Sequence, residues 1–228
     1  MSTNNEIINY LVSSRNKIIN FLNDLINNRN FSYETFGKEV EKPLIGFLVK
    51  LLKEGRYIKN ERDYHISENK NEFPDFTLNS SPKLALDIKA GNHSKKKGNK
   101  WVKCKNSAND LITLNTIHEK LSEFGGENIY YIFIEYNFND TAKTIVDVKI
   151  DKFYRFIGLN KAGFLKYRKK SGYFRPKDFN TEPLVKTLEQ FTSLIKPTDI
   201  YRSKSIIKQH IEKIPKEERN DFLESLKN

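Results

Sequence analysis

Asp75, Asp87 and Lys89 are the residues of this chain whose types and spacing most directly suggest chemistry. They lie in two apolar/polar runs, Phe73–Asn79 and Leu84–Ala90, joined by Asn79-Ser80-Ser81-Pro82-Lys83. Asn, Ser and Pro supply turn chemistry and the alternation supplies strands, so the stretch reads as a hairpin. In its second strand Leu84, Leu86, Ile88 and Ala90 share one face, while Ala85, Asp87 and Lys89 share the other, because strand side chains alternate with period two. Pairing through the turn brings Asp75 next to Asp87. Two convergent carboxylates repel each other unless a cation sits between them. Hard oxygen ligands at a partly hydrated site favour Mg2+. A lysine beside such an ion can polarise or deprotonate an attacking water, or hold the charge on a scissile phosphate. The set suits in-line hydrolysis of a phosphodiester.

Pro74-Asp75 followed by Asp87-Ile88-Lys89 resembles the PD-(D/E)xK nuclease signature. The wording Pro74-Asp75-Phe76-Thr77-Leu78 and Leu86-Asp87-Ile88-Lys89 is similar to the EcoRV and HincII branch of type II restriction endonucleases. The match covers the hairpin alone. The resemblance implies a mixed central sheet flanked by helices, with Asp75, Asp87 and the Ile88 carbonyl as Mg2+ ligands and Lys89 assisting the attacking water. It implies double-stranded DNA as substrate and a symmetric homodimer that cuts both strands. Relatives of this kind carry a Gly-x-x-x-Glu stretch on the preceding helix. Gly37-Lys38-Glu39-Val40-Glu41 fits that pattern, with Glu41 the better match and Glu39 the second. Two alternatives stay open: a structure-specific nuclease, such as a junction resolvase or repair nickase, and a DNA-binding protein without catalysis.

Composition agrees with a polyanion partner. Lys and Arg total 40 against 29 Asp and Glu, a formal net charge of +11, with a pI near 9.5. Such a balance is the electrostatic footprint of nucleic-acid binding. A length of 228 residues suits one domain. The single Cys104 excludes an internal disulfide framework and a multi-cysteine metal site, and implies a reducing, cytoplasmic setting. No run approaches the apolar length of a membrane span, no leader pattern opens the chain, and no P-loop pattern calls for a nucleotide cofactor.

The periodicity divides the domain into an N-terminal helix within 1–30, a catalytic core over 33–157, and a recognition loop with C-terminal helices over 158–228. The first helix spans Asn4 to about Asn28 with a nearly two-sided apolar stripe, capped by Ser2, Thr3 or Asn4. It either packs on its own domain or forms a subunit contact. A second helix runs from Ser32 or Tyr33 to Lys53, where Pro43 kinks it or marks a fresh start. Tyr57–Ile66 reads as an edge strand, Ser107–Phe124 as a helix, Asn128–Tyr136 as the central strand and Thr144–Ile157 as one or two more. A right-handed parallel crossover would join the catalytic strand to the 129–136 strand. Glu182–Lys196 reads as a helix stopped by Pro197, followed by short helices over 202–214 and 215–226.

Three polar stretches are candidate DNA contacts. The loop before the hairpin offers Asn69, Lys70 and Asn71. After Lys89, the run from Gly91 to Lys105 reads as a mobile basic loop whose Lys95, Lys96 and Lys97 would meet phosphates; His93 within it reads as solvated. The 166–177 stretch interleaves Lys166, Arg168, Lys169, Lys170, Arg175 and Lys177 with aromatics such as Tyr173, a mixture suited to reading a groove.

Overall fold

In the computed structural model, which describes residues 3–32, 34–69 and 72–225, the predicted hairpin lies within a five-stranded mixed sheet. Its strands are β1 (Tyr64–Ile66), β2 (Phe76–Leu78), β3 (Leu84–Asn92), β6 (Ile129–Phe138) and β7 (Lys143–Lys152), in that spatial order. A separate two-stranded ribbon is formed by β4 (Ser94–Lys97) and β5 (Lys100–Lys103). β2 pairs antiparallel with β1 and β3, β3 runs parallel to β6, and β7 returns antiparallel.

The alternation read from 84–90 divides two cores. Leu84, Leu86, Ile88 and Ala90 are buried with Ile7, Leu11, Leu22, Leu48 and Leu51. Those last five come from α1 (Asn4–Ser13), α2 (Arg15–Asn28) and α4 (Glu41–Glu54). On the opposite face Ala85 joins Tyr131, Phe133, Phe153, Phe174 and Phe191. That layer is built from α5 (Ile117–Phe124), the start of α6 (Leu188–Ile211) and the irregular segments between them. The architecture is the mixed α/β sheet flanked by helices that the sequence implied.

Several boundaries differ, each for a local reason. The 4–28 helix breaks at Ser14. Ser13 Oγ donates to the Tyr10 carbonyl at 2.8 Å, and adjacent serines offer the backbone partners that compete with helix continuation. Thr3 is the cap, in a reciprocal capping box with Glu6, and Asn4 is the first helical residue; Ser2 lies outside the described residues. The apolar stripe of these helices is buried in the chain's own core. The second helix divides at Val40 into α3 (Phe36–Glu39) and α4, and Pro43 sits in the first turn of α4, where a missing N–H is harmless. Of the 57–66 strand only β1 remains.

The helix expected from Ser107 begins at Ile117. Residues 111–114 instead bond with 172–174: Leu111 N–H donates to the Phe174 carbonyl at 2.9 Å and Phe174 N–H to Ile112 at 3.0 Å. Long-range pairing thus replaces local helix while Leu111 and Leu114 stay buried. The mobile loop expected over 91–105 is an ordered ribbon turning at Gly98, whose φ of +61° suits the first position of a two-residue hairpin loop. The helix expected from Glu182 begins only at Leu188, capped by Thr187, and it runs through Pro197 rather than stopping there. Proline removes one hydrogen bond, but Phe191, Ile195 and Thr198 are buried around it. The Thr198 hydroxyl also accepts the Leu165 N–H at 3.1 Å. Beyond α6, α7 (Arg219–Ser225) ends the described chain. Among the described residues no helix is long and apolar enough to cross a membrane.

Candidate active site

The three residues singled out by spacing meet. One position beyond the pair Phe76–Leu86, Asp75 and Asp87 lie side by side at the junction of β2 and β3. Asp75 Oδ2 accepts the Ile88 N–H at 2.6 Å, which fixes the carboxylate against β3. Lys89 Nζ lies 2.6 Å from Asp87 Oδ2. The contact is a close ion pair but poorly directed, for Asp87 Oδ2 finds no partner in hydrogen-bonding geometry. Asp87 is 1% exposed and Asp75 7%, while the Lys89 side chain reaches 19%. Lys89 is therefore the most exposed side chain of the three.

The electrostatics follow from this burial. Desolvation pushes the Asp75 carboxyl up to about 8, and the neighbouring Asp87 charge adds to it; Lys89 and the Ile88 N–H pull the other way, and Glu41 adds a smaller upward push. Burial works against the Lys89 ammonium, but Asp87 and Asp75 outweigh it and raise its pKa above the ordinary lysine value. Lys89 is thus a fixed positive charge at neutral pH. Beneath it lies the Tyr131 ring, 5.8 Å from Nζ. Tyr131 is fully buried and its hydroxyl accepts the Ile112 N–H at 2.9 Å, tying the floor of the site to the 105–116 segment. Tyr131→Phe leaves that N–H without a partner and is expected to cost about 1–3 kcal/mol, measured as a shift in the denaturant midpoint at unchanged m-value; no shift would remove this tie from the account.

Two buried carboxylates side by side, the Asp87 one balanced by Lys89 alone, fit a small hard cation that keeps most of its waters. Glu41 opens α4 within electrostatic reach of Asp75 and Lys89. Among the described residues no three His, Cys, Asp or Glu side chains form a metal-holding cluster. Any ion would therefore rest on the aspartate pair without a third acidic ligand already gathered.

A cleft of about 740 Å3 opens past the carboxyl end of β3, lined by Lys38, Lys95, Lys103, Lys105 and Arg175, with Glu34 as its acid. Another, of about 550 Å3, lies at the far edge between β7 and residues 177–183, away from the aspartates.

The candidate DNA contacts divide. Lys95, Lys96 and Lys97 stand exposed on the ribbon. Lys166 and Lys169 are half-buried, while Lys170 and Tyr173 are exposed. Arg175 is held by Asp110 at 2.7 Å and by the Ala108 carbonyl, and Arg168 lies 3.2 Å from Asp110. Lys177 Nζ donates to the Thr181 carbonyl, and burial beside Lys149 lowers its pKa. The 166–177 stretch is thus partly braced from within. Asn69 lies in a tight bend, its carbonyl accepting from Ser67 Oγ at 2.8 Å; Lys70 and Asn71 lie outside the described residues.

His93 is not solvated. Its Nε2 lies 3.0 Å from Glu135 Oε2, its ring stacks on Phe179 at 4.0 Å, and Glu135 also pairs with Lys149. Sequence reasoning passed over Glu135 and Tyr131. The signal was present: Glu135 is the one acid in the apolar run Ile129–Tyr136, where a charge is kept only with partners.

Comparison with protein-family models and with curated proteins finds no match.

Proposed function

We propose that the chain is a metal-dependent phosphodiesterase. Within that class we read it as a sequence-specific endonuclease for double-stranded DNA of the type II restriction kind, whose PD-(D/E)xK pattern its hairpin resembles. The observation that carries the reading is the meeting of Asp75, Asp87 and Lys89 on one strand junction. Asp75, Asp87 and the Ile88 carbonyl would hold Mg2+, which supplies Lewis-acid charge at the phosphate and a more acidic water. Lys89, kept protonated by the two acids, stabilises the negative charge gathering on the phosphate as the water–phosphorus bond forms and the bond to the leaving oxygen breaks. The raised Lys89 pKa favours this role over that of a general base. Glu41 is a positioning candidate beside Asp75. The net charge of +11 and the exposed ribbon lysines support a phosphate-backbone partner. On this reading a symmetric pair of chains acts in the cytoplasm on a palindromic site.

The test is incubation of duplex DNA of known sequence with the protein and Mg2+, with cut ends mapped. Discrete ends at one short sequence, lost on chelation, are expected. Intact duplex under these conditions overturns the reading, and cutting confined to branched substrates replaces it with a structure-specific nuclease.

A further inference from the structure

Arg202 still donates to the carbonyls of Lys169 and Lys170. Beyond it, none of the described residues 203–225 is buried. This stretch forms an arm made of the outer half of α6, a turn from Glu212 to Glu218, and α7. It carries large apolar side chains into solvent: Ile207 is 54% exposed, Phe222 40% and Leu223 39%. Ile200, Ile207 and Ile211 lie along one side of α6, at spacings of seven and four, the first two exposed and the third half-buried. That is the spacing of a seam which a second helix fills. Exposed apolar surface concentrated in this way marks an interaction site.

The charges on the arm point to the occupant. Residues 203–211 carry Lys204 and Lys208 and no acid, whereas residues 216–225 carry Glu217, Glu218, Asp221 and Glu224 against Lys216 and Arg219. Arg219 is committed to the carbonyls of Ile214 and Glu212, so the outward charge of α7 is acidic. A surface basic at one end and acidic at the other matches an antiparallel copy of itself.

We infer that the arm is an interface between two copies of this chain, with α6 of each lying against α7 of the other. A two-fold contact of this kind is self-complementary, so the basic–acidic match is made twice. The inference stands on the arm alone. It adds to the endonuclease reading the surface through which a pair of chains would form.

The experiment measures molar mass of the full chain by sedimentation equilibrium. Wild type is expected at twice 26.8 kDa. Lys204→Glu/Lys208→Glu leaves both ends of the arm net acidic, and Glu218→Lys/Asp221→Lys leaves both ends net basic. Each variant alone is expected to dissociate at least tenfold more readily, and an equimolar mixture of the two to restore the dimer. All four positions are exposed, and circular dichroism checks that each variant stays folded. A monomeric wild type overturns the inference, as do two variants that remain dimeric or a mixture that remains monomeric. A monomer that cuts DNA leaves the endonuclease reading intact, and a dimer that cuts nothing leaves the interface intact.

Discussion

Lys89→Ala is expected to slow single-turnover DNA cleavage by roughly 10^2–10^4-fold, the range for removing a group that acts on charge or protons in the transition state. Binding should change far less. One lysine contributes at most one phosphate contact, and the ribbon and cleft lysines remain. The two measurements must be made on the same variant, because Lys89 also neutralises Asp87 across 2.6 Å. Its removal leaves two buried acids without their cation, so thermal unfolding of the variant must accompany the kinetics. A variant that unfolds near the wild-type temperature, binds duplex normally and has lost cleavage supports the proposed role. Near-normal cleavage removes Lys89 from the mechanism. Asp87→Ala separates the remaining alternative: a protein that only binds DNA would lose nothing, or would bind tighter once a negative charge is gone.

The second large effect needs no DNA. Without metal, stability is expected to fall as pH rises from about 4 to about 8. Asp75 holds its proton in the folded chain to about 8, against 3.8 for an ordinary aspartate. Below the ordinary value the carboxyl is protonated in the folded and unfolded chain alike. Between the two values only the unfolded chain releases the proton, so each unit of pH makes unfolding easier by up to about 1.4 kcal/mol. Above about 8 both forms are ionised and the full penalty stands. Asp75→Asn keeps an oxygen for the Ile88 N–H and removes the titration. The variant should be the more stable at pH 8 by on the order of a few kcal/mol, with a flatter pH profile. Mg2+ should stabilise wild type at pH 8 and leave the variant nearly unmoved. Denaturant midpoints at pH 5 and 8, in chelator and in Mg2+, provide the check. Parallel profiles for the two proteins would show that Asp75 does not carry this charge penalty.

The candidate site was legible because strand geometry is local. Period-two alternation from Leu84 to Ala90 is enough to put Asp87 and Lys89 on one face, and Asn79–Lys83 enough to fold Asp75 back. β6 was legible on a different ground, as an aromatic and β-branched run buried along nearly its whole length. What escaped depended on partners distant in sequence. The backbone of 111–114 became extended because 172–174 lies beside it, and no local pattern contains that fact. Pro197 reads as a helix stop until the burial of Phe191, Ile195 and Thr198 is known. Lysines at 95–97 suggested a loose loop, since charge run and exposed ribbon share one composition and differ in the turn at Gly98. Glu135 was hidden by its surroundings, because its partners are distant in sequence: His93 between β3 and β4, and Lys149 on β7.

One strand serving two cores restricts how this chain can drift. β3 is locked to β6 over eight parallel positions, from Ala85–Ile129 to Asn92–Tyr136. Gaining or losing a single residue between 84 and 90 would turn the strand inside out. Aspartate and lysine would then be driven into the oily layer beneath α1, α2 and α4, and leucines delivered to the place of the acids. The loop 79–83 is restricted less, since its ties beyond the hairpin are hydrogen bonds from Asn79 to residues 62 and 63 and from Asn4 to the Pro82 carbonyl. Changes of length should therefore be absorbed there, leaving the separation between the two aspartates variable while Asp87-Ile88-Lys89 stays rigidly spaced.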